Sequence, residues 1–535
     1  MQKTMSALGS TVGDILRRSA RRAPSAPALH FGERSFTYRQ LDEASTRVAA
    51  ALLARGLCKG DRVAAFGKNS DAYVLLWLGA VKAGLVHVPV NYALAGAELA
   101  YIVRQSGARA IFVDPALSAA FAGCGVSVEI TGTLRDGEDG SRDVLAWAQA
   151  KGELLVLPEG VEDDDVAQLL YTSGTTAAPK GAVMTHRAFV HHYASAAMAL
   201  EMRGTERQLH ALPLYHSAQM HVFLMPSLML GAPNWILEAP DPARVIAAFA
   251  AHDIEAFFAA PTVWIALLAQ LDKGAEGARS LRKAFYGASI MPVPILQRLR
   301  QLLPDIGFYN CFGQSEIGPL ATVLRPEEHD ARPASAGRAV AFVDMRVVDD
   351  DLRDVAAGEV GEVVYRSPQL CAGYWEKPEE TEEAFAGDWF HSGDLARIDA
   401  EGFITIVDRK KDIIKTGGIL VASREVEEAL FTHPAVREVA VIPLPDPRWI
   451  EAVTAVVVRK EGSGEVGEAE LMAHARQTLA PFKVPKRVIF VEELPRNSAG
   501  KLLKRVLKEQ FGGAAAEGRD DGRDGVTRHG VSSEG

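Results

Sequence analysis

The sequence predicts an α/β protein of two domains: a large N-terminal α/β domain with several sheets, and a small α+β domain at the C-terminal end. Three observations predict it. The chain has 535 residues, more than a single hydrophobic core organises. Helical and strand-like patterns alternate along most of it, which calls for α/β layers with largely parallel sheets. Near Val407 the character changes at the charged cluster Asp408-Arg409-Lys410-Lys411-Asp412. The expected boundaries are a first domain over 1–408, a connection at 409–411, a second domain over 412–511 and a disordered tail over 512–535.

Each element has its own signal. Thr37 to Gln40 is a capping-box pattern, followed at helical spacing by Leu41, Val48 and Leu52, and Gly56 stops the helix. Val63–Phe66 is a short apolar strand, Ser70 caps a second helix, and Leu85–Val90 and Ala110–Val113 are further strands. The polar, acidic stretch 131–165 is expected to be a surface connection. It leads to the apolar run Val166–Leu170. Met220 to Leu237 carries no Asp, Glu, Lys or Arg, yet it contains His221, Pro226, Gly231, Pro233 and Asn234. Those residues argue against a membrane span and for a buried helix and strand beside a pocket. Strands are expected around Ala284–Tyr286 and Gly307–Asn310. Beyond the charged cluster come helix 424–431, strands 436–442 and 452–458, helix 468–479 and strand 487–491. From Gly512 onward almost no apolar residue remains, so no core can form there.

Composition removes several function classes. A net charge of -10 offers no basic excess to neutralise a nucleic acid. Cys58, Cys124, Cys311 and Cys371 form no C-x-x-C pair and no metal-ligand spacing, which fits free thiols in a reducing, cytoplasmic setting. No apolar signal-peptide core follows Met1.

Four segments concentrate chemistry. Tyr171-Thr172-Ser173-Gly174-Thr175-Thr176-Ala177-Ala178-Pro179-Lys180-Gly181 sets hydroxyls, glycines and one lysine at the end of a buried strand, as a polyphosphate requires. It is not a Walker sequence, and alone it also reads as a solvated turn. Asn310-Cys311-Phe312-Gly313-Gln314-Ser315-Glu316 combines a glycine for close backbone approach, a hydroxyl and a carboxylate able to hold Mg²⁺. In Asp388-Trp389-Phe390-His391-Ser392-Gly393-Asp394, followed by Asp408-Arg409, an Asp expected at a strand start suits a ribose diol. Pro495-Arg496-Asn497-Ser498-Ala499-Gly500-Lys501 offers one lysine after a glycine.

Taken together in this order, with Leu212-Pro213-Leu214-Tyr215-His216, Tyr286-Gly287-Ala288-Ser289 and Gly373-Tyr374-Trp375, these motifs closely resemble the adenylate-forming superfamily of acyl-CoA synthetases, luciferases and peptide-synthetase adenylation domains. The resemblance runs from about Phe36 to about Leu507, and bacterial fatty-acyl-CoA synthetases look closest. It implies a mobile C-terminal domain, with 409–411 as the hinge, and two half-reactions: a carboxylic acid is adenylated by Mg·ATP, then passed to the thiol of coenzyme A. By resemblance, Thr172, Ser173, Gly174, Thr175, Thr176 and Lys180 cradle the β- and γ-phosphates. Glu316, with Thr175, holds Mg²⁺, Ser315 contacts the α-phosphate, and Gly313 belongs to the nucleotide site. Gly287, Ala288 and Phe312 frame the adenine, and Asp394 and Arg409 take the ribose. Lys501 bridges carboxylate and α-phosphate. Lys411 is the hinge residue, and Lys415, Gly417 and Gly418 serve thiol transfer. His216, Met220, Val263 and Trp264 would line an uncharged acyl pocket suited to an alkyl or aryl acid.

The chain departs from the family pattern at Ala177, usually Gly, at Phe312, usually Tyr, and at Ser315, usually Thr. The larger departure is Ile419-Leu420, where the family usually has Glu-Asn after the two glycines. That segment belongs to the second half-reaction. Three readings therefore stay open: transfer of the adenylate's acyl group to CoA, transfer to a carrier protein or other nucleophile, and adenylation of nitrite, as in diazotases acting on an aminoaryl acid in secondary metabolism. An inactive ATP-binding relative is the alternative of another class. Retention of Lys180, Glu316, Asp394, Arg409 and Lys501 argues against it.

Overall fold

The computed structural model describes residues 10–153, 157, 160–172, 178–289, 291–460, 462, 466–496 and 502–512. The chain divides into two units, one ending at Val407 and the other starting at Asp408.

The first unit contains a six-stranded sheet in the order Ile130–Thr133, Ala108–Val113, Arg62–Phe66, Val86–Val90, Val166–Thr172, Lys180–Thr185. All its pairs are parallel except the last, an antiparallel hairpin. The predicted helix starts form as expected. Thr37 Oγ1 accepts the Gln40 N–H while Gln40 Oε1 accepts that of Thr37, and Ser70 caps Asp71–Lys82. That second helix is buried from Asp71 to Val81, because it is apolar on every face and lies between layers. Its Tyr73 and Trp77 pack into the same core as Phe112 of the strand Ala108–Val113.

A nine-stranded sheet runs Arg338–Ala339, Thr322–Leu324, Gly307–Phe312, Lys283–Gly287, Ala256–Ala259, Gln208–His210, Asn234–Ile236, Pro27–Phe31, Arg34–Thr37. Its middle strands are parallel, so their carboxyl ends share one rim. A four-stranded sheet follows, Asp344–Val348, Val360–Arg366, Phe390–Ile398 and Ile404–Arg409.

One expectation needs correction here. The stretch 131–165 is not merely a surface connection. It supplies the edge strand Ile130–Thr133 and a helix, Val144–Gln149, whose Val144, Leu145, Trp147 and Ala148 are buried. Met220–Leu237 is a buried helix and strand as expected, but its first turns, Ala218–Leu224, are π-helical.

In the second unit a five-stranded sheet is built from Ile419–Val421, Ile414–Thr416, Ile450–Arg459 and Val436–Asp446, with Arg487–Val491 parallel to Ile450–Arg459. Val426, Leu430, Leu471 and Ala475 pack its core with Val453, Ala455 and Val457. A further helix, Lys504–Gly512, sets Leu507 against Ala440, Ile442 and Val456. No helix among the described residues is long and apolar enough to cross a membrane.

Candidate active site

The apolar run Val166–Leu170 folds as a buried strand, and its polar continuation returns as an antiparallel partner. Thr172 pairs with Lys180 at the end of this antiparallel pair, on the outer strand of the sheet. Ser173, Gly174, Thr175 and Thr176 lie outside the described residues, as does Lys501. The two ends of the hairpin loop are well placed. Thr172 Oγ1 donates to Glu316 Oε1 at 3.4 Å, and Lys180 Nζ lies 5.2 Å from the centre of the Tyr374 ring. Tyr374 closes the group by donating its hydroxyl to the same Glu316 Oε1 at 3.1 Å.

Glu316 is only 8% exposed, on a single turn of 3₁₀-helix that follows the strand Gly307–Phe312. The turn is reached through Gly313, at φ +154°, where an added Cβ would stand 2.1 Å from the Pro319 carbonyl oxygen. Only glycine fits. Ser315 Oγ is 2.8 Å from Ser217 Oγ, which brings the predicted phosphate contact beside the residue after His216. Nothing in the spacing flagged Ser217.

The predicted adenine frame sits at the carboxyl rim of the parallel strands. Gly287 pairs with Cys311, and Phe312 is the next residue of that strand. Ala288 follows at φ +63°, a left-handed conformation that an alanine adopts only when its surroundings impose it. Ligands of parallel α/β sheets bind beyond these carboxyl ends.

Asp394 corrects the expectation of a strand start. It lies within Phe390–Ile398 and is buried, at a register shift against Val360–Arg366. The bulge is held by Glu362, which accepts the Gly393 N–H through Oε1 at 3.0 Å while Oε2 stands 3.1 Å from His391 Nδ1. Glu362 was not found from sequence, because its partners lie about thirty residues away across the sheet. Asp394 belongs to the first unit and Arg409 to the second.

Asp408, the residue before Arg409, acts as a helix cap. Its Oδ2 accepts from Ser423 N–H at 2.6 Å and Ser423 Oγ–H at 2.7 Å, at the start of Ser423–Phe431. Lys504 joins this cluster, donating to Ser423 Oγ at 2.6 Å and pairing with Glu427 at 2.7 Å. Burial pushes the Glu427 carboxyl up, while Glu427 and then Asp408 raise Lys504 against its own burial. Lys411 is exposed. Lys415 opens a tight hairpin, Ile414–Thr416 to Ile419–Val421, whose turn residues Gly417 and Gly418 stand at φ +58° and +82°. A two-residue turn of this hand requires positive φ at both positions. Ile419 and Leu420 beside it are 45% and 64% exposed.

Of the predicted acyl-pocket residues, His216 is half-buried and its Nδ1 accepts the Ala218 N–H at 3.3 Å, which caps the π-helix. Met220 belongs to the core around Trp77, whereas Trp264 belongs to the other core and donates its indole N–H to Phe285 O at 3.0 Å. Val263 is half-buried next to it. The π-helix also carries two polar chains: from the sequence, His221 served only as an argument against a membrane span, and Gln219 gave no signal at all. His221 links Tyr193 OH to Gln168 Oε1, and Gln168 Nε2 continues to His87, with every step 2.8 Å. Gln219 links Leu212 N–H to His210, which meets Asn234. Burial holds these imidazoles neutral: His87 falls to about 3 and His210 to about 4.

Among the described residues, no group of three or more His, Cys, Asp and Glu is arranged to hold a metal ion. Glu316 nevertheless suits Mg²⁺, an ion that keeps waters and phosphate oxygens and needs one or two carboxylates. Its Oε1 is fixed by two hydroxyls, and Oε2 has no partner among the described residues.

The family model described as AMP-binding enzyme matches residues 16–375, and that of the AMP-binding enzyme C-terminal domain matches residues 425–501. A feruloyl-CoA synthase from an Amycolatopsis species is 36% identical over 495 residues, covering 92% of this chain and 98% of that protein. The long-chain-fatty-acid–CoA ligase FadD13 of Mycobacterium tuberculosis is 35% identical over 508 residues, 94% of this chain and 98% of its own length. A solved structure of the anthranilate CoA ligase AuaEII in complex with anthranoyl-AMP matches with a TM-score of 0.87 at 27% identity, covering 96% of this chain and 100% of that one.

Proposed function

The chain belongs to the AMP-binding enzyme family, and we propose that it is an acid–thiol ligase that activates an aryl or fatty carboxylic acid as its adenylate and transfers the acyl group to coenzyme A. The observation that carries this reading is the meeting of Thr172, Lys180 and Glu316 at the mouth of one hairpin.

In the first half-reaction a carboxylate oxygen of the acid attacks the α-phosphorus of ATP. A new P–O bond forms, and the bond to the bridging oxygen breaks with loss of pyrophosphate. Two anions must approach, so the chain's task is to offset negative charge. Lys180 supplies a cation at the end of the phosphate loop, and Lys501 a second one between carboxylate and α-phosphate. Glu316 would hold Mg²⁺, which neutralises phosphate charge when bound. Gly287, Ala288 and Phe312 frame the adenine, Asp394 and Arg409 the ribose. In the second half-reaction the thiolate of CoA attacks the acyl carbon and AMP leaves. The hairpin Lys415–Leu420 serves this step. Use of ATP and CoA as co-substrates supports a cytoplasmic setting.

Product mass spectrometry with Mg·ATP, CoA and a panel of aryl and fatty acids tests the reading. Acyl-CoA, AMP and pyrophosphate are expected. Accumulated acyl-AMP in the presence of CoA would remove the thiol step from the assignment. Absence of acid-dependent ATP–pyrophosphate exchange with every acid would remove adenylation as well.

A further inference from the structure

Tyr374 lies on a short segment whose placement is unusually over-determined. Cys371 N–H donates to the Glu316 carbonyl oxygen at 2.7 Å. Ala372 N–H donates to Val183 O at 2.8 Å, Val183 N–H to Gly373 O at 2.9 Å, and Trp375 N–H to Gly181 O at 2.8 Å. The segment therefore runs as an extra, antiparallel edge along Lys180–Thr185, with Ala182 opposite Tyr374. Tyr374 N–H is fixed by Thr381 Oγ1 at 2.9 Å, and Thr381 Oγ1–H by Lys377 O at 2.7 Å. Further out, Gln105 Nε2 donates to Trp375 O at 3.0 Å. The backbone thus joins the turn that carries Glu316 to the strand that begins with Lys180. The tyrosine side chain spans the same gap, with its hydroxyl on Glu316 Oε1 at 3.1 Å and its ring face 5.2 Å from Lys180 Nζ.

We infer that Tyr374 is a positioning residue for nucleotide binding: one side chain sets both the carboxylate of Glu316 and the ammonium of Lys180. The inference rests on the proposed roles of Glu316 toward Mg²⁺ and of Lys180 toward phosphate. The two functions of the ring are separable. The hydroxyl immobilises one carboxylate oxygen, and Oε2 would hold the ion. The ring face stabilises the ammonium by cation–π attraction and restricts its long side chain. A purely structural tyrosine would affect ATP binding equally with and without the metal. A positioning tyrosine splits the two.

The experiment measures binding without turnover, on the full chain and with no acid present. Equilibrium dialysis with labelled ATP is run in EDTA and over a Mg²⁺ titration, for wild type, Tyr374→Phe, Tyr374→Leu and Glu316→Gln, with melting curves for each. Tyr374→Phe keeps the ring, so it is expected to bind metal-free ATP as wild type does. Its half-saturating Mg²⁺ should rise about tenfold, the effect of losing one hydrogen bond to a charged group. Tyr374→Leu should show the same Mg²⁺ shift and, in addition, about two- to fivefold weaker metal-free binding. An unshifted Mg²⁺ titration in Tyr374→Phe overturns the inference, as does an equal loss with and without metal. If Glu316→Gln itself leaves the Mg²⁺ dependence unchanged, the assigned role of Glu316 fails, and the inference built on it falls for that separate reason.

Discussion

Lowering the pH from 7.5 to 5.5 should destabilise the first unit before any carboxylate titrates there. His87 and His192 are fully buried and pushed down to about 3, and His186 and His210 down to about 4, in each case mainly by desolvation. In the unfolded chain these groups titrate near 6.5. The folded state therefore keeps them neutral through a window in which the unfolded state takes up protons. Their contribution to stability is complete above 6.5 and is lost as the pH falls below it. At pH 5.5 each contributes about 1.4 kcal/mol less than at pH 7.5, so the four together remove roughly 5 kcal/mol. That is a large part of the roughly 5–15 kcal/mol typical of a folded domain. His210 shows why the structure cannot simply accept the proton. Nδ1 faces the amide nitrogen of Gln219, whose Oε1 already serves Leu212 N–H, and Nε2 faces Asn234 Oδ1. A proton on Nδ1 forces Gln219 to turn and to abandon the backbone. The assay is urea unfolding followed by tryptophan fluorescence at pH 7.5, 6.5 and 5.5, with Trp77 packed edge-on against His87 at 5.2 Å and His221 at 5.5 Å as a local reporter. His210→Gln should remove about a quarter of the pH slope. A transition midpoint that stays constant from pH 7.5 to 5.5 refutes the reasoning.

Three further outcomes are expected. Lys504→Met leaves the largely buried Glu427 without its cation and should lower the stability of the second unit by about 1–3 kcal/mol, with most of it recovered in the double variant Lys504→Met/Glu427→Gln; differential scanning calorimetry reads both. Glu362→Ala releases the Gly393 N–H and the bulge that carries Asp394, so the KM for ATP in pyrophosphate exchange should rise about tenfold, and the KM for supplied acyl-adenylate, which carries the same ribose, should rise with it. Lys501→Ala should abolish adenylation and spare that thiolysis; equal loss of both steps would contradict the role assigned to Lys501.

The regular part of the fold was legible because its signals are local. Apolar runs such as Val63–Phe66 and the capping pair Thr37 and Gln40 decide their elements within a few residues. Short elements fail for the converse reason. Ile130–Thr133 and Val144–Gln149 are too brief to show a period, and the Asp, Gly and Arg between them dilute the apolar signal. The Ser392-Gly393-Asp394 segment reads as the start of a strand because Ser and Gly commonly precede one, and only Glu362, distant in sequence, reveals the bulge inside a longer strand. The site motifs announced their chemistry through type and order, so Thr172, Lys180 and Glu316 could be named together. Tyr374 stood in a quoted motif with no role, since its role depends on a pairing between 371–375 and 180–185 that no local pattern encodes. The π-helical turns Ala218–Leu224 had no readable signal beyond polar residues set in an apolar run.

The segment 371–375 has one more consequence, for how this protein keeps to itself. Lys180–Thr185 is the outermost strand of its six-stranded sheet, and an uncovered outer strand invites another chain to pair with it. The backbone from Ala372 to Trp375 occupies the hydrogen-bonding positions that such a chain would use. Substitutions that loosen it, as at Gly373 where a side chain would strike Thr381, should therefore appear first as self-association on a sizing column. Protection of this sheet edge and the proposed positioning of Glu316 and Lys180 thus rest on the same few residues, so a substitution that disturbs one is expected to disturb the other.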